Sequence, residues 1–140
     1  MSAYSGNDPV NINSLVTDTY DGMGYLVKYS ASGLLKTASV TDTPMGVTID
    51  ESSRDAAGSL EAVADATVSI LPLSGIIYVK CMGIASGSVK QGMPIYVSQT
   101  ADTNGYVDDD SSNSATLVGY YMGDGGITIT AGDLIPVAVA

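Results

Sequence analysis

The densest group of oxygen ligands in this sequence is Asp108-Asp109-Asp110, with Asp102 and Asn104 just upstream. Such a group suits a hard cation, because calcium takes about six to eight oxygens arranged by a turning backbone. The spacing matches no EF-hand loop, having neither the inner glycine nor the closing Glu, so a solvated loop tip is the expected state. Gly123-Asp124-Gly125-Gly126 has the glycine content of a phosphate loop. No Lys-Ser/Thr follows it, no G-x-G-x-x-G register surrounds it and no helix is expected after it, so a β-turn accounts for it better. Cys81 stands in Tyr78-Val79-Lys80-Cys81-Met82, where strand alternation puts Lys80 and Cys81 on opposite faces. The thiol has no local base and reads as a buried structural cysteine. The 15 acidic residues offer general acids and bases, but nothing in their spacing selects one pair.

What is missing narrows the chemistry further. There is no His, no Trp and no Phe. Without imidazole there is no Ser-His-Asp or Cys-His nucleophile and no His metal ligand, and one cysteine makes neither a zinc site nor an internal disulfide. No catalytic residue, metal or cofactor is therefore expected. The 140 residues carry 5 basic side chains against 15 acidic ones, a net charge of −10. With only Lys28, Lys36, Arg54, Lys80 and Lys90 as cations, the chain has no basic stripe for phosphates, and an anionic membrane would repel it. Neither nucleic acid nor membrane is an expected partner. Met1 to Tyr20 shows no positive n-region and no apolar h-region, and no apolar run approaches ~20 residues, so neither a signal peptide nor a transmembrane span is expected.

The elements that would position any site are strands. A hydrophobic fraction of 45% with 14% charged residues is enough for a core. Among the acids only Glu51 and Glu61 are the helix-friendly homologue, and the rest are Asp, which favours turns and caps. Strands are expected at Tyr25–Tyr29, Leu34–Val40, Pro44–Ile49, Thr67–Leu71, Ile76–Met82, Met93–Ser98, Tyr106–Val107, Thr116–Met122, Ile127–Thr130 and Leu134–Val139. Turns fall at Ser30–Gly33, Pro72–Gly75, Asp102–Gly105, Gly123–Gly126 and Ala131–Asp133, with Asn104-Gly105 the strongest hairpin signal. Asp50 to Ala66 reads as a loop holding at most one short helix. The even spacing of short strands implies a small antiparallel barrel or sandwich.

Two features remain open at this level. Tyr is the only aromatic, and Tyr25, Tyr29, Tyr78, Tyr96, Tyr106, Tyr120 and Tyr121 lie on or beside these strands, either replacing Phe and Trp in the core or forming an interface or sugar-binding face. There is also an internal echo: Tyr25-Leu26-Val27 followed by Pro44-Met45-Gly46-Val47 parallels Ile95-Tyr96-Val97 followed by Leu117-Val118-Gly119-Tyr120. A duplication would produce it, and so would chance likeness between short strands and Gly turns.

Gly92-Met93-Pro94-Ile95-Tyr96-Val97, Asn104-Gly105 with Tyr106-Val107, Leu117-Val118-Gly119-Tyr120-Tyr121, Gly123-Asp124-Gly125-Gly126-Ile127-Thr128-Ile129 and Leu134–Val139 together resemble the tailed-bacteriophage capsid cement, or head decoration, proteins. Met45-Gly46-Val47 and Ser74-Gly75-Ile76 fit the middle of that group, while the polar stretch before Gly24 and Glu51 to Val63 depart from it. The resemblance implies a small antiparallel β-barrel or β-tulip-like domain over residues 21–140; the stretch before it, 1–20, is polar with Pro9 and several Asn, and reads either as an extended N-terminal arm or as a frayed terminus. It implies a structural, non-enzymatic protein on the outer surface of the virion. There, often as a homotrimer, it would bind the expanded head and clamp neighbouring major capsid protein subunits. The arm is expected to lie along a capsid subunit by strand addition, with Tyr4, Val10, Ile12, Leu15, Val16 and Tyr20 as capsid contacts. A carbohydrate- or receptor-binding β-domain of a head or tail fibre is the rival reading, and a small hydrolase using an Asp pair has no motif in its favour.

Overall fold

Runs of Val, Ile and Thr broken every few residues by Gly, Pro, Asn or Asp make strands too short to stand alone, and they gain stability only by pairing. The computed structural model of the chain shows that pairing; it describes residues 10–13, 20–31, 33–51, 57, 67–98 and 104–140. The first half forms one five-stranded sheet from β1 (Val10–Asn13), β2 (Leu26–Ser30), β3 (Gly33–Lys36), β4 (Gly46–Thr48) and β5 (Thr67–Pro72), in the order β1-β5-β4-β2-β3. The second half forms another from β6 (Ile76–Lys80), β7 (Pro94–Val97), β8 (Val107–Asp108), β9 (Leu117–Tyr121) and β10 (Leu134–Val139), in the order β6-β10-β9-β7-β8. Counted within its own half, each sheet follows the same order: first, fifth, fourth, second, third strand.

Every ladder is antiparallel. Among the described residues there is no α-helix, only 3-10 turns at Ser86–Ser88 and Ser112–Ser114, so the all-β expectation holds. Neither sheet is closed into a barrel by a ladder among the described residues. Both curl nonetheless: β1 and β3, the outer strands of the first sheet, pass close to one another, and a parallel bridge from Cys81 to Val107 ties the end of β6 to β8 across the second. The expected strand at Ile127–Thr130 is reduced to a single bridge between Ile129 and Ile84, because the chain turns at Gly126 and again at Gly132, both in the left-handed region. Most of the expected loop at 50–66 lies outside the described residues.

Two cores result. Tyr20, Tyr25, Val27, Leu34, Val68 and Ile70 fill the curl of the first sheet. The larger core is aliphatic, built on Ile77, Val79, Ile95, Val97, Ile135 and Val137 of the second sheet and joined by Leu26 and Val47 of the first. Neighbouring residues Leu26 and Val27 point to opposite faces of β2, so that strand is covered on both sides and lies between the two cores. Gly24 couples the sheets: its N–H donates to the Thr48 carbonyl at 2.7 Å, and its carbonyl accepts from Lys80 N–H at 2.8 Å. It has φ +97°, a backbone conformation that favours glycine, and a Cβ there would displace the end of the Leu134 side chain.

Candidate docking face

The groups that looked capable of chemistry turn out to serve the fold. Cys81 is fully buried, and burial, reinforced by Asp108, Asp109 and Asp133, pushes its thiol up to about 12. It is protonated at neutral pH and is no nucleophile. Asp108 departs from the expected solvated tip: it is buried in β8, where its carboxylate accepts from Asp110 N–H at 3.1 Å. Asp109 and Asp110 are exposed, and Asp110 accepts from the Ser112 amide at 2.9 Å and from the Ser112 hydroxyl. Among the described residues no three His, Cys, Asp or Glu side chains come together as a metal site, and no helix is long and apolar enough to cross a membrane. The Gly123–Gly126 segment is the expected turn, held by Tyr121 hydroxyl donating to the Asp124 carbonyl at 2.9 Å and by Gly126 N–H donating to the Val89 carbonyl.

The most polar cluster sits at the mouth of the first core. Tyr25 donates its hydroxyl to Asp21, its ring meets Tyr20 edge-on at 6.0 Å, and the ammonium groups of Lys36 and Lys80 lie 4.3 and 5.1 Å from its centroid. The Tyr25 hydroxyl bond holds the Asp21 carboxyl below the ordinary carboxylate range despite partial burial, while burial first and the Asp21 bond second push Tyr25 up. This arrangement seals a core with cation–π and hydrogen-bond contacts.

Of the expected arm contacts, Tyr4, Leu15 and Val16 lie outside the described residues. Val10 and Ile12 belong to β1, the edge strand of the first sheet, in register with Ile70 and Val68 of β5. Tyr20 has 0% of its surface exposed; its hydroxyl donates to the Leu34 carbonyl at 3.3 Å, so its side chain is committed to the first core.

The feature that sequence reading missed is the outer face of the second sheet. Cross-strand partners share a face, and the ladders place Ile76, Ala138, Tyr120 and Pro94 in one row across β6, β10, β9 and β7. Tyr78 and Pro136 form the next row, continued by Met122, whose N–H donates to the Pro136 carbonyl at 2.9 Å. Lys80 and Leu134 form the third. Ile76, Tyr78 and Tyr120 are 56%, 54% and 43% exposed. No carboxylate belongs to these rows, although the chain carries 15. A contiguous apolar patch of this kind marks an interaction surface. The unbroken apolar run Ile76-Ile77-Tyr78-Val79 reads as a strand covered on both faces, so the sequence carried no signal that one of them is exposed.

No curated protein matches the chain. A model of the phage cement family, described as structural cement protein (E217 gp24/Pam3 gp6), matches residues 2–140.

Proposed function

Because the chain belongs to the phage structural cement protein family, with a structural role at the virion capsid, we propose that it binds the outer surface of the expanded head of a tailed bacteriophage and staples neighbouring major capsid protein subunits. The observation that carries this reading is the family match along residues 2–140. The all-β fold with an unpaired apolar face supports it, since such a face is suited to binding a protein surface and not to turnover. The family is one of structural proteins, not of enzymes.

The mechanism is multivalent. Each protomer makes a modest contact, and a homotrimer makes the second and third contacts intramolecular, at a raised effective concentration. Head expansion sets the spacing between sites, which makes binding selective for mature shells. The N-terminal segment, with Tyr4, Val10, Ile12, Leu15 and Val16, adds contacts along a capsid subunit, and β1 is the edge strand through which main-chain pairing extends. A net charge of −10 keeps crowded copies soluble on the outside of the shell, where no DNA contact is needed.

Co-sedimentation with cognate expanded heads that lack the protein tests the reading. Saturable binding at a fixed copy number per capsid hexamer is the expected result, and no binding at any concentration overturns it. The exposed Tyr78 and Tyr120 favour one second reading, a carbohydrate- or receptor-binding domain of a head or tail fibre. Glycan binding in the absence of any capsid would select it.

A further inference from the structure

We propose that the outer face of the second sheet is the seat of this protein on the shell, and that its counterpart is an apolar patch of a capsid subunit with a carboxylate at its margin. The proposal rests on the reading of the chain as a capsid-binding protein, and adds which surface binds and what that surface recognises. A comparison of the halves shows that the face lacks a cover. In the first half, Leu26, Val47 and Leu71 form a ladder row across β2, β4 and β5. In the second half the row at the same strand positions is Pro94, Tyr120 and Ala138, across β7, β9 and β10. Leu26 and Val47 are buried, and with Leu71 they pack into the core of the second sheet. Pro94 and Tyr120 are exposed. The fold covers this row in one half and leaves it in water in the other, where Ile76, Tyr78, Met122 and Leu134 widen it.

Chemistry selects the occupant. Protein interfaces are enriched in Tyr and Met and poor in charge at their centres, and these rows hold no carboxylate in a chain of −10. A sugar would leave hydroxyls unpaired against Ile76, Pro94 and Leu134, whereas an apolar protein patch would not. Lys80, at one end, is the single charge of the rows. Its ammonium lies over the Tyr25 ring, and among the described residues no carboxylate forms an ion pair with it, since Asp21 accepts from the Tyr25 hydroxyl. A carboxylate on the shell is attracted there and repelled by the acidic remainder of the surface, so charge turns this face towards the subunit as the molecule lands. Gln91 supplies a neutral polar margin, donating its side-chain amide to the Met122 carbonyl at 3.4 Å. β1 belongs to the other sheet, so one molecule carries two unlike contacts, a broad apolar seat and a strand edge. Two such contacts let it hold two neighbouring subunits at once.

Oxidative footprinting of the wild-type protein, free and bound to cognate expanded heads, tests the seat. Tyr78, Tyr120 and Met122 should lose reactivity on the heads, while Tyr29, exposed on β2 of the first sheet, should keep it. The variant Tyr78→Ser/Tyr120→Ser should bind heads about tenfold or more weakly at an unchanged melting midpoint. The footprint uses the wild-type chain, so it decides the matter even where that variant melts early. Lys80→Gln should weaken binding and flatten its dependence on salt; unchanged affinity and salt dependence would overturn the carboxylate. Heads that bind the protein while Tyr78 and Tyr120 stay as reactive as in the free chain overturn the seat and leave the capsid-binding reading intact. No binding of the wild type overturns that reading and the seat with it. Protection of the same residues in the free chain as its concentration rises assigns the face to a second copy and overturns the proposal.

Discussion

The two halves of the chain follow one strand order but fill their interiors differently. The first closes over a Tyr-rich core, with Tyr20 and Tyr25 supplied by the segment that leads into β2 and with Lys36, Lys80 and Asp21 around the rings. The second closes over valines and isoleucines, with Cys81 and Tyr121 among them. The backbone plan is thus compatible with two different fillings. It is held instead by features the halves share, above all a glycine at the start of the fourth strand in one and within it in the other. Gly46 and Gly119 each lie against the carbonyl of the fifth strand's fifth residue, Leu71 or Ala138, where a side chain has no room.

That parallel gives the largest expected effect. At Gly119 a Cβ would collide with the Ala138 carbonyl oxygen, and at Gly46 it would lie 2.7 Å from the Leu71 carbonyl oxygen. Neither neighbour is a flexible side chain, so Gly119→Ala should cost more than about 3 kcal/mol and Gly46→Ala somewhat less. Urea unfolding checks both, and a neutral Gly119→Ala would break the parallel. The fillings come next. Tyr20→Ala removes a fully buried ring and should cost about 3 kcal/mol. Tyr78→Ala, on the exposed face, should stay within about 0.5 kcal/mol. Equal losses at the two sites would mean that the outer face of the second half is covered in solution.

A smaller effect than the loss of a buried ring concerns charge in the first half. Lys28 pairs with Asp42 at 2.9 Å, and the amides of Ala38 and Ser39 donate to the same carboxylate. Partial burial pushes Asp42 up, but these donors together hold it below its ordinary 3.8, and Asp21 is lowered as well. A carboxyl with a depressed folded-state pKa stabilises the fold above its unfolded value, and that contribution is lost as the pH falls. Stability should therefore hold down to about pH 5 and decline below about pH 4. Asp42→Asn should cost about 1 kcal/mol at pH 7 and make the acid decline shallower. An identical acid limb in the variant would remove Asp42 from the account.

Much of this was legible in the residues. Leu134–Val139 and Thr67–Pro72 are apolar runs bounded by Gly, Pro, Asp or Ser, and period and punctuation placed them closely. The buried thiol of Cys81 followed from alternation along its strand. Three features were not legible, each because it depends on what lies across from a residue. Asp108 looks solvated by its charge, yet pairing of β8 with β7 takes it in. Tyr20 ends a polar stretch, yet its ring finds Tyr25 and its hydroxyl finds Leu34. Tyr78 sits in an apolar run, and no local pattern says that only one side of that run is covered.

Pairing of β1 with β5 has a consequence in time. Val10 faces Ile70 across the ladder and Asn13 faces Thr67, so among the described strands β1 leaves the ribosome well before β5, its partner in this ladder, has been made. Contacts so distant in sequence form slowly, and an unpaired strand edge is exposed to aggregation in the interval. The composition of Val10-Asn11-Ile12-Asn13 suits that delay, since a segment in which every second residue is an amide is less inclined to join a stray neighbour while it waits.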